Sequence, residues 1–226
     1  MKNSGGSMFM SWEETFEAGV TLSGGKGWNL ARLDRYGFPV PAGGVLAARA
    51  YDQFVRHNRM EGSLEAAARE ADGLDPADTR QWELSEEIRR LHLSGEIPRH
   101  LTEEIRSRLS DWGLSGASLA VRSSAAAEDS ASASFAGIHD SFLNVRGEEQ
   151  LLAAVRACWA SAWNQRAVAY RRGMGLSGEP PAQAVVIMAM VEPGASGVAF
   201  SCHPGRGRED QVFISANFGL GEAVVG

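Results

Sequence analysis

The chain has 226 residues, of which 44% are hydrophobic and 22% charged, ordinary values for a globular protein that exclude disordered, collagen-like and low-complexity classes. Its length suits one large domain or two small ones built around a shared cleft. With 22 Lys and Arg against 28 Asp and Glu the net charge is −6, which withholds the basic surface that nucleic acid requires and leaves any anion to a few well-placed cations and backbone donors.

Residues 1–10 (MKNSGGSMFM) are small, polar and Met-rich and read as a flexible leader; they lack the apolar stretch of a secretory signal. The glycine turn Gly24-Gly25-Lys26-Gly27 feeds a helix, because Trp28, Leu30, Ala31 and Leu33 recur at helical spacing. Two prolines and two glycines over Gly37–Gly43 interrupt it, and a short strand at Gly44–Ala47 and a helix at Ala50–Arg56 follow. From Ser63 to Trp112 the chain turns rich in Glu, Arg and Leu, with helical stretches at about 64–71, 78–93 and 101–110 broken at Asp75-Pro76 and Ile97-Pro98. This middle third, about 63–112, reads as a helical insert.

From Ala117 onward, β-prone runs at 117–122, 138–145, 183–191, 196–202 and 211–217 alternate with a single long helix at about 148–172, as an α+β chain requires. Leu151, Leu152, Val155, Cys158, Trp159, Ala162 and Trp163 form one apolar stripe on that helix and are expected in the core. The longest apolar run, Ala184 to Val191, is far short of a bilayer-spanning helix. Cys158 and Cys202 form neither a disulfide framework nor a paired zinc motif. Together these point to a cytoplasmic protein with no membrane partner. The expected division is a leader at 1–10, an N-terminal subdomain with the insert at 11–116, and an α+β part at 117–226.

Three segments carry chemistry. In Ser23-Gly24-Gly25-Lys26-Gly27, glycines let backbone approach a ligand, the following helix aims N–H groups at an anion, and Lys26 supplies a mobile charge. It is not a Walker loop, since Val20 and Gly27 stand where Gly and Ser or Thr belong; a plain surface turn is the alternative. In Val121-Arg122-Ser123-Ser124 with the small-residue loop to Gly137 behind it, Arg122 either forks to a phosphate under a closing flap or pairs with Glu128 or Asp129. In Ala184–Val191, the methionines offer an adaptable wall for a flat ring or simply finish a buried strand. The run Gly219-Leu220-Gly221-Glu222-Ala223-Val224 lacks the third glycine of a dinucleotide fingerprint, and His57, His92, His100, His139 and His203 form no metal or triad motif and are expected mostly at the surface.

Taken in order, GGKGWNLARL with GFPVPAG, AVRSSAAAEDSASASFAGIHDSFLNV, ACWASAWNQRAVAYR, VVIMAMVEPGASGVAFSCHP and ANFGLGEAVVG resemble the N-terminal ATP-binding domain of the pyruvate phosphate dikinase, phosphoenolpyruvate synthase and rifampicin phosphotransferase family, from about Leu22 to Gly226. The resemblance implies an ATP-grasp-like α+β fold with two subdomains around a nucleotide cleft. It implies that Gly25, Lys26 and Arg122 hold the phosphates of ATP, with Lys26 and Arg122 the catalytic cations. It also implies that the loop from Ser123 through Ser124 and Ser134 to Gly137 covers the phosphates, and that Met188, Ala189, Met190 and Val191 flank the adenine. The activity implied is transfer of a phosphoryl group from ATP to a histidine carrier and on to pyruvate or a drug hydroxyl.

Family members commonly have Gln where this chain has Met188 and Gly where it has Ser132. The Glu and Gln that bind Mg²⁺ in the family lie beyond Gly226, and no histidine here stands in the family's phosphohistidine motif. The expectation is therefore an incomplete module that does not turn over alone. A separate chain carrying the histidine and acceptor domains would complete it; otherwise it is a non-catalytic, truncated remnant or interaction module.

Overall fold

Phe9 and Met10 point to opposite sides of a strand, and each finds a core there, so the chain is ordered earlier than its composition suggests. A computed structural model describes residues 6–74, 78–125, 129–130, 133–134, 140–173, 182–202, 210–221 and 224. Contacts divide the chain into two units, Met1–Met190 and Val191–Gly226.

The first unit opens with β1 (Phe9–Ser11), α1 (Trp12–Ala18), α2 (Val20–Arg35), β2 (Gly43–Leu46) and α3 (Ala48–His57). Helices α4 (Glu61–Gly73), α5 (Thr79–Ser94) and α6 (Arg99–Asp111) follow, then β3 (Leu119–Ala125), the two-residue strands β4 (Asp129–Ser130) and β5 (Ala133–Ser134), and β6 (Ser141–Val145). Helices α7 (Gly147–Ser161) and α8 (Gln165–Gly173) and strand β7 (Gln183–Ala189) complete it. The second unit contributes an antiparallel ribbon of β8 (Ala195–Phe200) and β9 (Phe213–Phe218).

Five strands form one antiparallel sheet in the order β1-β2-β7-β3-β6. After Gln183, strand β7 is apolar because both its faces are covered. Ala184 and Val186 join Met10, Trp12, Ala31 and Val45 on the side of α1 and α2, whereas Val185 and Ile187 join Phe9, Leu46 and residues of α3 to α7 on the other. Strands from both sides of the expected 116/117 boundary lie side by side in this sheet, and the contacts separate the chain at 190/191 instead.

Two expectations from the sequence are revised. The end of the leader is β1, held at the sheet edge by Glu104, whose Oε1 accepts from Ser7 Oγ (2.6 Å), Met8 N (2.7 Å) and Phe9 N (3.0 Å). The helices at 61–111 appear where their periodicity placed them, and Leu64, Leu84, Ile88, Leu101 and Ile105 are buried in the same core as the sheet. The long helix at 148–172 is two helices, because the chain turns at Ala162–Asn164 and Asn164 Oδ1 accepts from Ala167 N (2.8 Å), starting α8 afresh. Helix α1 was legible but unread: Ser11-Trp12-Glu13-Glu14 is a capping box, with Ser11 and Glu14 bonding each other's backbone N–H.

Candidate functional site

The glycine turn breaks α2. Gly24 sits at φ 69°, ψ 170°, outside helical geometry, so a continuous helix starts only after it, with Gly25, Lys26 and Gly27 in its first turn. Ser23, Gly24, Gly25 and Gly27 are buried, and the turn lies against β3 rather than on the surface. A Cβ on Gly24 would stand 2.2 Å from the Ser124 carbonyl oxygen, which only glycine permits. The Ser124 hydroxyl donates to Ser23 O (2.9 Å) and accepts from Gly27 N (3.0 Å), joining segments about a hundred residues apart in sequence.

Strand alternation sets what faces this turn. Arg122 pairs with Val186 of β7 and Ser141 of β6, and Ser124 lies two residues further along the same face. That face is the one α2 covers over β7 and β2, where Gly27 packs on Val45. Arg122 is half-buried, and its side chain has no hydrogen bond or ion pair among the described residues. Lys26, also half-buried, has interactions of its own within the chain. Its charge reaches the Cys158 thiol: burial and then Asp140 push that thiol well up, and Lys26 opposes them. A thiol so raised is inert as a nucleophile. Arg122, Ser124 and the turn carrying Lys26 therefore come together beside the start of β6.

The model of the pyruvate phosphate dikinase AMP/ATP-binding domain matches residues 20–226. The chain belongs to that family. It is 38% identical over 219 residues to a probable phosphoenolpyruvate synthase of Methanothermobacter thermautotrophicus, an overlap of 95% of this chain and 31% of that protein. It is 40% identical over 215 residues to a rifampicin phosphotransferase of Streptomyces sviceus, covering 94% of this chain and 24% of that protein. A probable phosphoenolpyruvate synthase of Archaeoglobus fulgidus is 40% identical over 208 residues, 91% of this chain and 27% of that protein. The chain thus spans less than a third of each of these relatives.

In this ATP-binding domain, with its ATP-grasp-like α+β fold, the other expected site residues fall as follows. Ser123 and Ser124 belong to β3, which runs on to Ala125, so both lie in a strand and not in the loop expected from Ser123 onward. The cause is pairing with β7, which continues through Ser123↔Val185 to Ala125↔Gln183. The buried Ser123 hydroxyl, one residue out of phase with Arg122 and Ser124, lies on the opposite face and has no hydrogen-bond partner among the described residues. Ser134 is paired with Asp129 in the β4–β5 hairpin, and Gly137 lies outside the described residues.

Residues 188–191 do not form one wall. Met188 packs on the α2 side beside Ala120 and Gly43, while Ala189 packs on the opposite core. The N–H groups of Ala189 and Met190 are committed to Ala42 O (2.8 Å) and Ser118 O (2.9 Å), and Val191 opens the second unit. Among the described residues no three His, Cys, Asp or Glu side chains gather as a metal-holding group, and no helix is long and apolar enough to cross a membrane. Of the described histidines, His57 and His100 lie at the surface and His92 is fully buried; His139 and His203 lie outside the described residues.

The sequence already marks Ser23 and Gly24 as parts of the glycine turn, but not their contact with Ser124. The Gly-Gly run hinted at a close approach, but nothing local names Ser124 as what is approached.

Proposed function

We propose that this domain seats the triphosphate of ATP on the α2-facing side of β3, with Lys26 and Arg122 as its two cations, and that it serves a phosphotransferase. What supports this reading is Arg122. It is half-buried, its side chain has no hydrogen bond or ion pair among the described residues, and it stands on the strand to which Ser124 ties the Lys26 turn. A guanidinium forks onto phosphate oxygens, and an ammonium adds a point charge. Phosphoryl transfer needs little more from a protein than this positioning and cancellation of charge. Met188, on the same face and two residues along β7 from the partner of Arg122, would meet the base. Magnesium, which the family reading brings with it, finds no ligand group among the described residues, and no step is assigned to it.

The phosphoryl group would pass to a histidine carrier on further domains or a separate chain, then to pyruvate or a drug hydroxyl. The names and greater lengths of the phosphoenolpyruvate synthase and rifampicin phosphotransferase relatives support that course.

Nucleotide titration tests the core of the reading. ATP at ~100 times its dissociation constant should stabilise the chain by about 2.7 kcal/mol in a thermal melt. Lys26→Ala or Arg122→Ala, each removing a charged hydrogen bond of ~1.5–3 kcal/mol, should weaken ATP about ten- to a hundredfold. A melt unmoved by ATP would leave a nucleotide-free interaction module as the better description.

A further inference from the structure

The hydroxyl of Ser124 has one proton, and that proton is already donated to Ser23 O. Its lone pair accepts the Gly27 N–H, and the side chain is fully buried. It therefore has no donor left to offer a phosphate, although it stands two residues from Arg122. Its partners show what it does instead. With Gly24 as the last non-helical residue, Gly27 is the third residue of the helix proper, the position whose N–H an N-cap side chain normally accepts. Gly24 has no side chain to do so, and could not carry one against the Ser124 carbonyl. The cap is supplied from another strand.

We infer that Ser124 is a positioning residue: it caps the helix after Gly24 from β3 and thereby sets Lys26 relative to Arg122 for a shared triphosphate, without touching the nucleotide. The inference rests on the proposed function. An N-cap on the preceding residue would have satisfied the same N–H with no bearing on β3. A cap borrowed from β3 instead makes the placement of Lys26 depend on the strand that carries Arg122. Because the Ser124 hydroxyl bonds both sides of Gly24, to Ser23 and to Gly27, the turn is fixed in translation as well as in tilt.

Three probes separate positioning from general loosening: ATP, tripolyphosphate, which reports on the cations alone, and adenosine, which does not need them. Ser124→Ala should weaken ATP and tripolyphosphate about tenfold, as expected for loss of two hydrogen bonds at a binding cation, and leave adenosine unchanged. Ser124→Thr, which restores the hydroxyl, should recover the wild-type ratio of ATP to adenosine affinity. In a Lys26→Ala background Ser124→Ala should add no further loss, because the two act as one. If Ser124→Ala fails to fold, Ser124→Cys keeps the shape, weakens both bonds and is read in the same way. Equal losses for adenosine and tripolyphosphate, an additive loss with Lys26→Ala, or no loss at all overturn the inference while ATP binding by the parent chain stands. A parent chain that binds neither ATP nor tripolyphosphate overturns the proposed function and this inference with it.

Discussion

At the scale of single residues, buried polar groups separate into those with a structural role and those with none assigned. His92 is fully enclosed between α3 and α7 and beside Phe54; its Nδ1 donates to Ile88 O (2.8 Å), which leaves Nε2 to accept from Tyr51 Oη (3.1 Å). Burial favours the neutral ring and holds its pKa below the ordinary value, only partly countered by the Ile88 carbonyl. The unfolded chain binds a proton at about pH 6.5 that the folded chain refuses. Stability from this group is thus complete above that pH and falls as the medium is acidified towards the folded pKa, by up to about 1.4 kcal/mol per pH unit. Denaturant titrations at pH 7 and pH 5.5 should show the loss, and His92→Gln should flatten that part of the pH dependence. The Ser123 hydroxyl is buried without a hydrogen-bond partner among the described residues, and nothing in the structure explains it.

Elements are held by partners from elsewhere in the chain more than by their own propensity. β1 is a three-residue edge strand, and Glu104 of α6 covers the N–H of Phe9 at its start and of Met8 just before it, one way to blunt an edge. Glu104→Ala should cost ~1–3 kcal/mol by stranding those donors, with faster amide exchange at Met8 and Phe9, whereas Glu104→Gln keeps an acceptor and should cost less. The same helix shows how the helical insert at about 63–112 shares the main core. Leu101 is fully buried in the main core, so Leu101→Ala should lower stability by ~2–5 kcal/mol in a single cooperative transition. A biphasic melt in which the sheet survives would contradict that. The Arg106–Glu148 pair also joins α6 to α7, at 2.8 Å through both Nε and Nη2 of the guanidinium, but it is solvent-exposed, and exposed pairs contribute little.

For the whole molecule, the first unit contains every strand of the five-stranded sheet and both cores. A chain ending at Met190 should therefore still unfold cooperatively, as circular dichroism on heating would show; a broad, non-cooperative melt would mean that the first unit depends on the residues after it.

Helix positions were legible because amphipathic periodicity is local: α3, α5, α6 and the start of α7 fall within a few residues of where Leu, Ile and Trp spacing placed them. So were the central strands, whose runs of Val and Ile suit a sheet covered on both faces. The family was legible too, from motifs that keep their order along the chain. What the sequence did not disclose was who meets whom. That β3 continues through Ser124, that alternation splits Met188 from Ala189, and that a serine on one strand caps a helix beginning a hundred residues earlier are decided by pairing across the sheet. Propensity and spacing act over a few residues, whereas strand register and close backbone approach arise only when the sheet is assembled. The types of residue available for phosphate chemistry were thus written in the sequence, and their convergence on one face was decided by the tertiary structure.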